Sequence, residues 1–371
     1  MSGEAGDLPG LDPAIDRAPL ARARWGRRSP ERFQAGTSDG RPATYAALDL
    51  GTNNCRLLVA RPAADSFRVV DAFSRIVRLG EGVSLTGRMS DAAMERAVGA
   101  LAVCASKMKN RGVTRARLIA TEACRAAANG EDFRTRVADE LGLELEVIDR
   151  ETEANLAATG CTPLMDPDAQ GVVLFDIGGG SSELVRLGRS HSVRRGPPLP
   201  RIRGWTSLPT GVVTLAERYG GIVVTPESYE RMVENVTALM APFVREHAQG
   251  GVQGIHMLGT SGTVTTIAGV HLNLRRYDRN RVDGCWMSTE EISEVVSRLL
   301  AMSYEERVAS PCIGAERADL VLAGCAILEA IRRAFPCPRL RVADRGLREG
   351  MLVQMMREDG AWGGGDQAGA V

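Results

Sequence analysis

Two stretches of the chain share one pattern of apolar and polar positions. Residues 172–175 form an unbroken apolar run, which reads as a buried strand. Asp176 stands at its end, and Ile177, Gly178, Gly179, Gly180, Ser181 and Ser182 make a turn that Glu183, Leu184 and Val185 leave as a second strand. Earlier in the chain, residues 45–48 lead into Asp49, Leu50, Gly51, Thr52, Asn53 and Asn54, and residues 55–59 return. Two such hairpins predict two duplicated half-domains facing one another. A triple glycine has no Cβ atoms, so its amides can approach and point at an anion. It can equally be a plain flexible turn. Rossmann-type glycine fingerprints place a helix after the turn; here a strand follows each.

Elsewhere the periodicity predicts helices over 91–110, 132–141, 149–161, 226–247, 289–302 and 316–334, and a last helix that the stretch 344–352 starts. Strands are predicted over 67–73, 117–120, 145–148, 255–258 and 339–342. Glu151 and Glu153 open the 149–161 helix. They lie two apart and so point to different faces, and at most one aims at a cleft. A third Gly/Ser/Thr turn, residues 259–264, runs from a strand into a helix, a further anion loop. Residues 1–43 and 358–371 lack any sustained period and read as tails, leaving a first unit over 44–165 and a second over 166–357.

Composition narrows the classes. A chain of 371 residues has room for two domains, and 44% apolar with 25% charged residues is ordinary for a soluble protein. No apolar run nears the ~20 residues of a membrane span, and no signal-peptide core opens the chain. A formal net charge of zero gives no bulk argument for nucleic acid. Eight cysteines without a CxxC spacing read as thiols in a reducing cytoplasm, and four histidines without a paired pattern argue against zinc. The segment 186–203 holds six arginines, either a basic lip beside the anion site or a solvated hairpin.

Six motifs in order carry a resemblance: Asp-Leu-Gly-Thr-Asn-Asn from Asp49, Ala-Thr-Glu-Ala-Cys-Arg ending at Arg125, Arg-Glu-Thr-Glu-Ala from Arg150, Asp-Ile-Gly-Gly-Gly-Ser-Ser-Glu from Asp176, Gly-Thr-Ser-Gly-Thr from Gly259, and Gly-Leu-Arg-Glu-Gly from Gly346. Over residues 44–356 the chain resembles the short, two-domain form of the exopolyphosphatase / guanosine pentaphosphate phosphohydrolase family. The resemblance implies an α/β fold of two actin-like (ribonuclease H-like) domains facing each other across an interdomain cleft. It implies Glu153 as the catalytic carboxylate that orients and deprotonates water, Arg125 as the grip on the scissile phosphate, and Glu183 as a second active-site acid. Asp49 and Asp176 would surround Mg²⁺. Phosphate would be bound by Gly51, Thr52, Asn53, Asn54 and Arg56 on one side and by Gly178, Gly179, Gly180, Ser181 and Ser182 on the other. The implied protein is a cytoplasmic homodimer that removes terminal phosphate from inorganic polyphosphate. Guanosine pentaphosphate is the alternative substrate, and a non-catalytic polyphosphate or nucleotide sensor the alternative class. A kinase of the same superfold would leave Glu153 unexplained. Two departures stand out: Asn155 occupies a position where many members carry arginine, and the arginine-rich segment is longer than expected.

Overall fold

The computed structural model describes residues 43–189, 195–248 and 253–362. The tails read from the sequence fall, apart from their inner ends, outside these residues. The first half holds strands β1 (Tyr45–Leu50), β2 (Asn54–Pro62), β3 (Phe67–Ile76), β4 (Arg115–Ala120) and β5 (Glu146–Val147). Its helices are α1 (Val83–Thr86), α2 (Asp91–Asn110), α3 (Glu122–Ala126), α4 (Gly130–Leu141) and α5 (Arg150–Cys161). The second holds β6 (Gly171–Ile177), β7 (Ser182–Gly188), β8 (Ile202–Leu208), β9 (Ile255–Thr260), β10 (Trp286–Ser288) and β11 (Arg339–Ala343). Its helices are α6 (Val212–Tyr219), α7 (Pro226–His247), α8 (Ser261–His271), α9 (Arg279–Val282), α10 (Thr289–Ala301), α11 (Tyr304–Ala309), α12 (Val321–Ala334) and α13 (Leu347–Glu358).

Strand order is β3-β2-β1-β4-β5 in one sheet and β10-β11-β9-β6-β7-β8 in the other. In each, an antiparallel meander of three strands is joined through its first strand to parallel strands. The duplication read from the hairpins is thus a duplication of topology. The periodicity gives no sign of strands β8 and β10: β8 hides behind arginines and β10 has only three residues. The helix predicted from residue 316 starts at Val321, because turns occupy the stretch before it.

Period-2 alternation decides what faces the cleft. Ala46, Leu48 and Leu50 pack with Ala97, Leu101 and Cys104 of α2, so Tyr45 and Ala47 turn the other way, onto Met351 and Met355 of α13. Asp49 therefore belongs to the α13 face. In β6, Val173, Phe175 and Ile177 join the core with α7, α8 and α12, while Val172 and Leu174 lie against Ala154, Ala158 and Cys161 of α5. Asp176 therefore belongs to the α5 face. Although α13 follows the second sheet in the chain, it covers the first.

Helices α5 and α13 meet between the sheets with almost no side chain at their crossing. A Cβ at Gly160 would lie 2.0 Å from the carbonyl oxygen of Gly346, and one at Gly350 2.0 Å from that of Leu156. Both obstacles are backbone, so neither can swing aside. Gly350→Ala is expected to destabilise the fold by about 1–3 kcal/mol, the usual range for overpacking, read from the midpoint of chemical unfolding. An unchanged midpoint would mean that the helices part without cost.

Candidate active site

The two inner faces bring four charged side chains to the strand ends. Asp49 pairs in register with Arg56 across the first hairpin, and Asp176 with Glu183 across the second. Partners in an antiparallel pair share a face, so all four point inward. Burial raises the carboxyl of Asp49, opposed by Arg56 and Arg348. Burial and then the charge of Asp49 push Asp176 up to about 6, although the Ser261 hydroxyl bonds to it. The effect of Asp49 on Asp176 places the two carboxylates within electrostatic reach of each other. Glu183 is raised well above the usual range by burial and by Glu153 and Asp176, and it accepts a 2.8 Å bond from the Ser207 hydroxyl.

Both turns have carbonyls occupied from outside and most amides free, although the predicted phosphate ligands Gly51 and Gly178 spend theirs within the turn, on the Asn54 (2.9 Å) and Ser181 (3.0 Å) oxygens. In the first, the Asn53 oxygen accepts from the amides of Val77 (2.9 Å) and Arg78 (3.0 Å), and the Thr52 oxygen from Gly80 (2.9 Å). In the second, the Gly178 and Gly179 oxygens accept from Val212 (3.0 Å) and Val213 (2.8 Å) at the start of α6. Among the described residues the amides of Thr52, Asn53, Gly179, Gly180 and Ser181 have no acceptor. Amides left pointing out of anchored turns make an anion cradle. The turns touch: a Cβ on Gly179 would meet Thr52 Cβ at 2.9 Å, and one on Gly180 would meet Thr52 Oγ1 at 2.9 Å. The side-chain oxygens of Asn53 and Asn54 are buried without a partner, another sign of a position meant for a ligand or cation.

Helix α5 delivers Glu153. Asp149 caps it by accepting from the Thr152 amide at 2.7 Å, which starts the helix at the cleft edge. Glu153 points in and Glu151 out, as the spacing requires. Asn155 is exposed and donates to the Glu151 carbonyl at 2.9 Å, so its departure from the family pattern does not reach the cleft. Burial pushes Glu153 up to about 7; Arg125 opposes this, and Asp49 and Asp176 add to it. Arg125 donates to Glu153 (2.8 Å), to Glu122 (2.8 and 3.0 Å) and to the Ile148 carbonyl (2.7 Å). Its guanidinium is thus drawn against two carboxylates and does not line the cleft wall in this arrangement.

Sequence reading assigns no role to several other residues here. Glu122 lines the cleft and accepts from Arg150 at 2.8 Å as well as from Arg125. Arg348, in the first turn of α13, lines it too; its place inside the Gly-Leu-Arg-Glu-Gly motif is its one signal in the sequence. Arg317 lies against the Ser261-Gly262 turn, donates to Thr266 at 3.3 Å and shares its field with Arg56. Nothing in its local sequence marks it. Ser261 sits at φ +80, a left-handed conformation that a non-glycine residue adopts at a cost of order 1–3 kcal/mol and that clusters at binding sites. The 259–264 turn does run from β9 into α8, and Thr260 and Ser261 line the cleft.

For a cation, Asp49 and Asp176 supply hard oxygens, and among the described residues no three His, Cys, Asp or Glu side chains converge. Mg²⁺ is usually held by one or two carboxylates, with water and substrate phosphate completing its shell; this donor set fits it. Among the described residues, the arginine-rich segment does not border the site. Arg186, Arg189, Arg201 and Arg203 line a separate groove, sharing no residue with the cleft. His191 and Arg194 lie outside the described residues.

A family model described as "Ppx/GppA phosphatase family" matches residues 58–359. A guanosine-5'-triphosphate,3'-diphosphate pyrophosphatase of Photobacterium profundum is 28% identical over 322 residues; the match covers 84% of this chain and 59% of that protein's length. A Haemophilus influenzae protein assigned as an exopolyphosphatase is 26% identical over 318 residues, covering 85% and 92%. Among solved structures, an exopolyphosphatase-like protein superposes with a TM-score of 0.75 at 30% identity, covering 85% of this chain and 98% of that one. An Aquifex aeolicus member of the Ppx/GppA family gives 0.69 at 28%, with the same coverage.

Proposed function

The chain belongs to the Ppx/GppA phosphatase family, and on that premise we propose that it hydrolyses phosphoanhydrides, removing the terminal phosphate of inorganic polyphosphate as orthophosphate. One observation carries the reading: two amide cradles from separate sheets meet around Asp49 and Asp176, with the Glu153 carboxyl near neutrality beside them. Phosphoryl transfer asks a protein mainly for positioning and for spread positive charge. The free amides of the two turns, with Arg56 and Arg348, would hold the terminal phosphates and meet charge as it develops. Glu153 would take a proton from the attacking water while the bond from phosphorus to the bridging oxygen breaks. That oxygen leaves as a phosphate anion on the shortened chain. Burial, Glu153 and Asp176 raise the Glu183 carboxyl well above the usual range, which favours its uncharged form beside the substrate. Mg²⁺, held by Asp49 and Asp176, would supply Lewis-acid neutralisation of the phosphate oxygens.

The name of the Photobacterium relative supports a second reading, in which the substrate is the 5'-triphosphate end of guanosine pentaphosphate. Phosphate release with Mg²⁺ from long-chain polyphosphate, short-chain polyphosphate and guanosine pentaphosphate, offered side by side, decides between them. Release chiefly from polyphosphate is expected. Release chiefly from the nucleotide would transfer the same residues to the second substrate, and silence on all three with binding retained would make the protein a sensor. Among the described residues no helix is long and apolar enough to cross a membrane.

A further inference from the structure

Between Glu183 and Glu217 the sequence contains six arginines and no carboxylate. Four of these arginines form one wall of a groove on the second sheet. Arg186 and Gly188 come from β7, Arg189 follows it, Arg201 and Arg203 enter β8, and Glu246 and His247 close the groove at the end of α7. Gly188 donates to the Arg201 carbonyl at 2.9 Å. A Cβ on Gly188 would meet Arg203 Nε at 3.0 Å and Arg201 Cδ at 3.6 Å, so both side chains lie over this glycine. The missing Cβ is what lets two arginines lie side by side. A Cβ on Gly204 would likewise meet His247 Nε2 at 2.2 Å.

The charge in this groove is not cancelled. Arg186 donates to two backbone carbonyls, those of Val172 (3.3 Å) and Leu187 (3.0 Å), and its guanidinium is pulled down by burial and by Arg203. Arg189, Arg201 and Arg203 are exposed and have no carboxylate partner among the described residues. The single acid of the lining, Glu246, faces His247 at 3.7 Å. Elsewhere many arginines of this protein are paired: Arg78 with Asp319, Arg117 with Glu146, Arg333 with Glu230 and Glu329. Four neighbouring arginines over two glycine-bearing strands, none with a carboxylate partner among the described residues, make a surface for a multiply charged anion.

The groove is far from the cleft. Ser182 pairs with Ile177 beside the glycine turn, whereas Gly188 pairs with Gly171 at the opposite end of the same two strands. Six residue steps along β7 are about 20 Å. We propose that the groove is a second binding site for a run of phosphates, and that it tethers long polyphosphate chains while their ends are held in the cleft. This rests on the polyphosphate reading above. A short chain cannot engage both places; a long one can, and the tether raises the effective concentration of its ends at the cleft.

The test compares the full-length protein with its Arg201→Gln/Arg203→Gln double variant; both side chains are exposed, so folding should be preserved, checked by an unchanged unfolding midpoint. Binding of long-chain polyphosphate and of tripolyphosphate is measured without turnover, by anisotropy of end-labelled chains in chelator. Roughly tenfold or greater loss for the long chain, with tripolyphosphate unaffected, is expected, and KM for long chains should rise with kcat unchanged. Equal affinities for the long chain in both proteins would overturn the proposal, as would equal losses for long and short chains. RNA of comparable charge that competes equally would also overturn it, by making the groove a general polyanion surface. If no phosphate is released from any polyphosphate yet long-chain binding falls in the variant, the catalytic reading fails and the groove stands.

Discussion

Glu153→Gln is expected to lower kcat for phosphate release by about 10²–10⁴-fold, the range for removing a positioned general base. The replacement keeps shape and leaves Arg125 an amide oxygen to bond, so substrate binding should persist. The wild-type rate should carry an acid limb. Burial, together with Asp49 and Asp176, raises the Glu153 carboxyl to about 7. Only the ionised carboxylate can accept the proton of water, so activity should climb as pH passes through about 7 and fall below it. The variant's residual rate should not follow that limb. Phosphate release across pH 5.5–8.5 (about neutrality, where the carboxyl titrates), for both proteins at saturating substrate, reads this directly. A wild-type profile without the limb, or a variant of undiminished rate, would remove Glu153 from the role of base.

Asp176→Asn should abolish turnover and yet make the metal-free protein more stable at neutral pH. Asp176 titrates at about 6 in the fold against an ordinary 3.8, for reasons of burial and the nearby Asp49 charge. A carboxyl whose folded value is raised contributes stability below its unfolded value and loses it as pH rises through the folded one. Above about 6 the native state therefore carries a buried, repelled charge. A tenfold change in a protonation equilibrium is worth about 1.4 kcal/mol, so removing the charge should add on the order of 1–3 kcal/mol at pH 7.5 in chelator. Near pH 4, where the native carboxyl is already protonated, the gain should vanish. Thermal melts of both proteins at the two pH values test it. A variant less stable than wild type at pH 7.5 would show that Asp176 supports the fold rather than straining it. Gain of stability with loss of activity is the usual signature of a site whose charges are arranged for a ligand rather than for the fold.

The local chemistry of this protein is written locally. An apolar run, an aspartate, glycines and a returning run specify a hairpin within about fifteen residues, so both turns, and the likeness of the two halves, can be read without a structure. Helical spacing likewise separates Glu153 from Glu151, because 3.6 residues per turn leave no other outcome for side chains two apart. The strand identities of β8 and β10 escape such a reading, since arginines and short length erase the alternation that marks a strand. What the sequence could not contain is which faces meet. That Asp49 and Asp176 both turn inward follows from the sum of alternating contacts against α2, α13, α5 and α12, elements far apart in the chain. The same summation brings Arg348 from the last helix to the cleft, lays Arg317 from a turn before α12 against the Ser261-Gly262 turn, and sets Arg125 against Glu122 and Glu153. It also sends Arg189, Arg201 and Arg203 to the far end of β7, because a strand of seven residues separates its two ends by about 20 Å whatever charges they carry. Hairpins and helices are fixed by neighbours in sequence; the field at the site and the remoteness of the groove are fixed by packing, which only the folded chain sums.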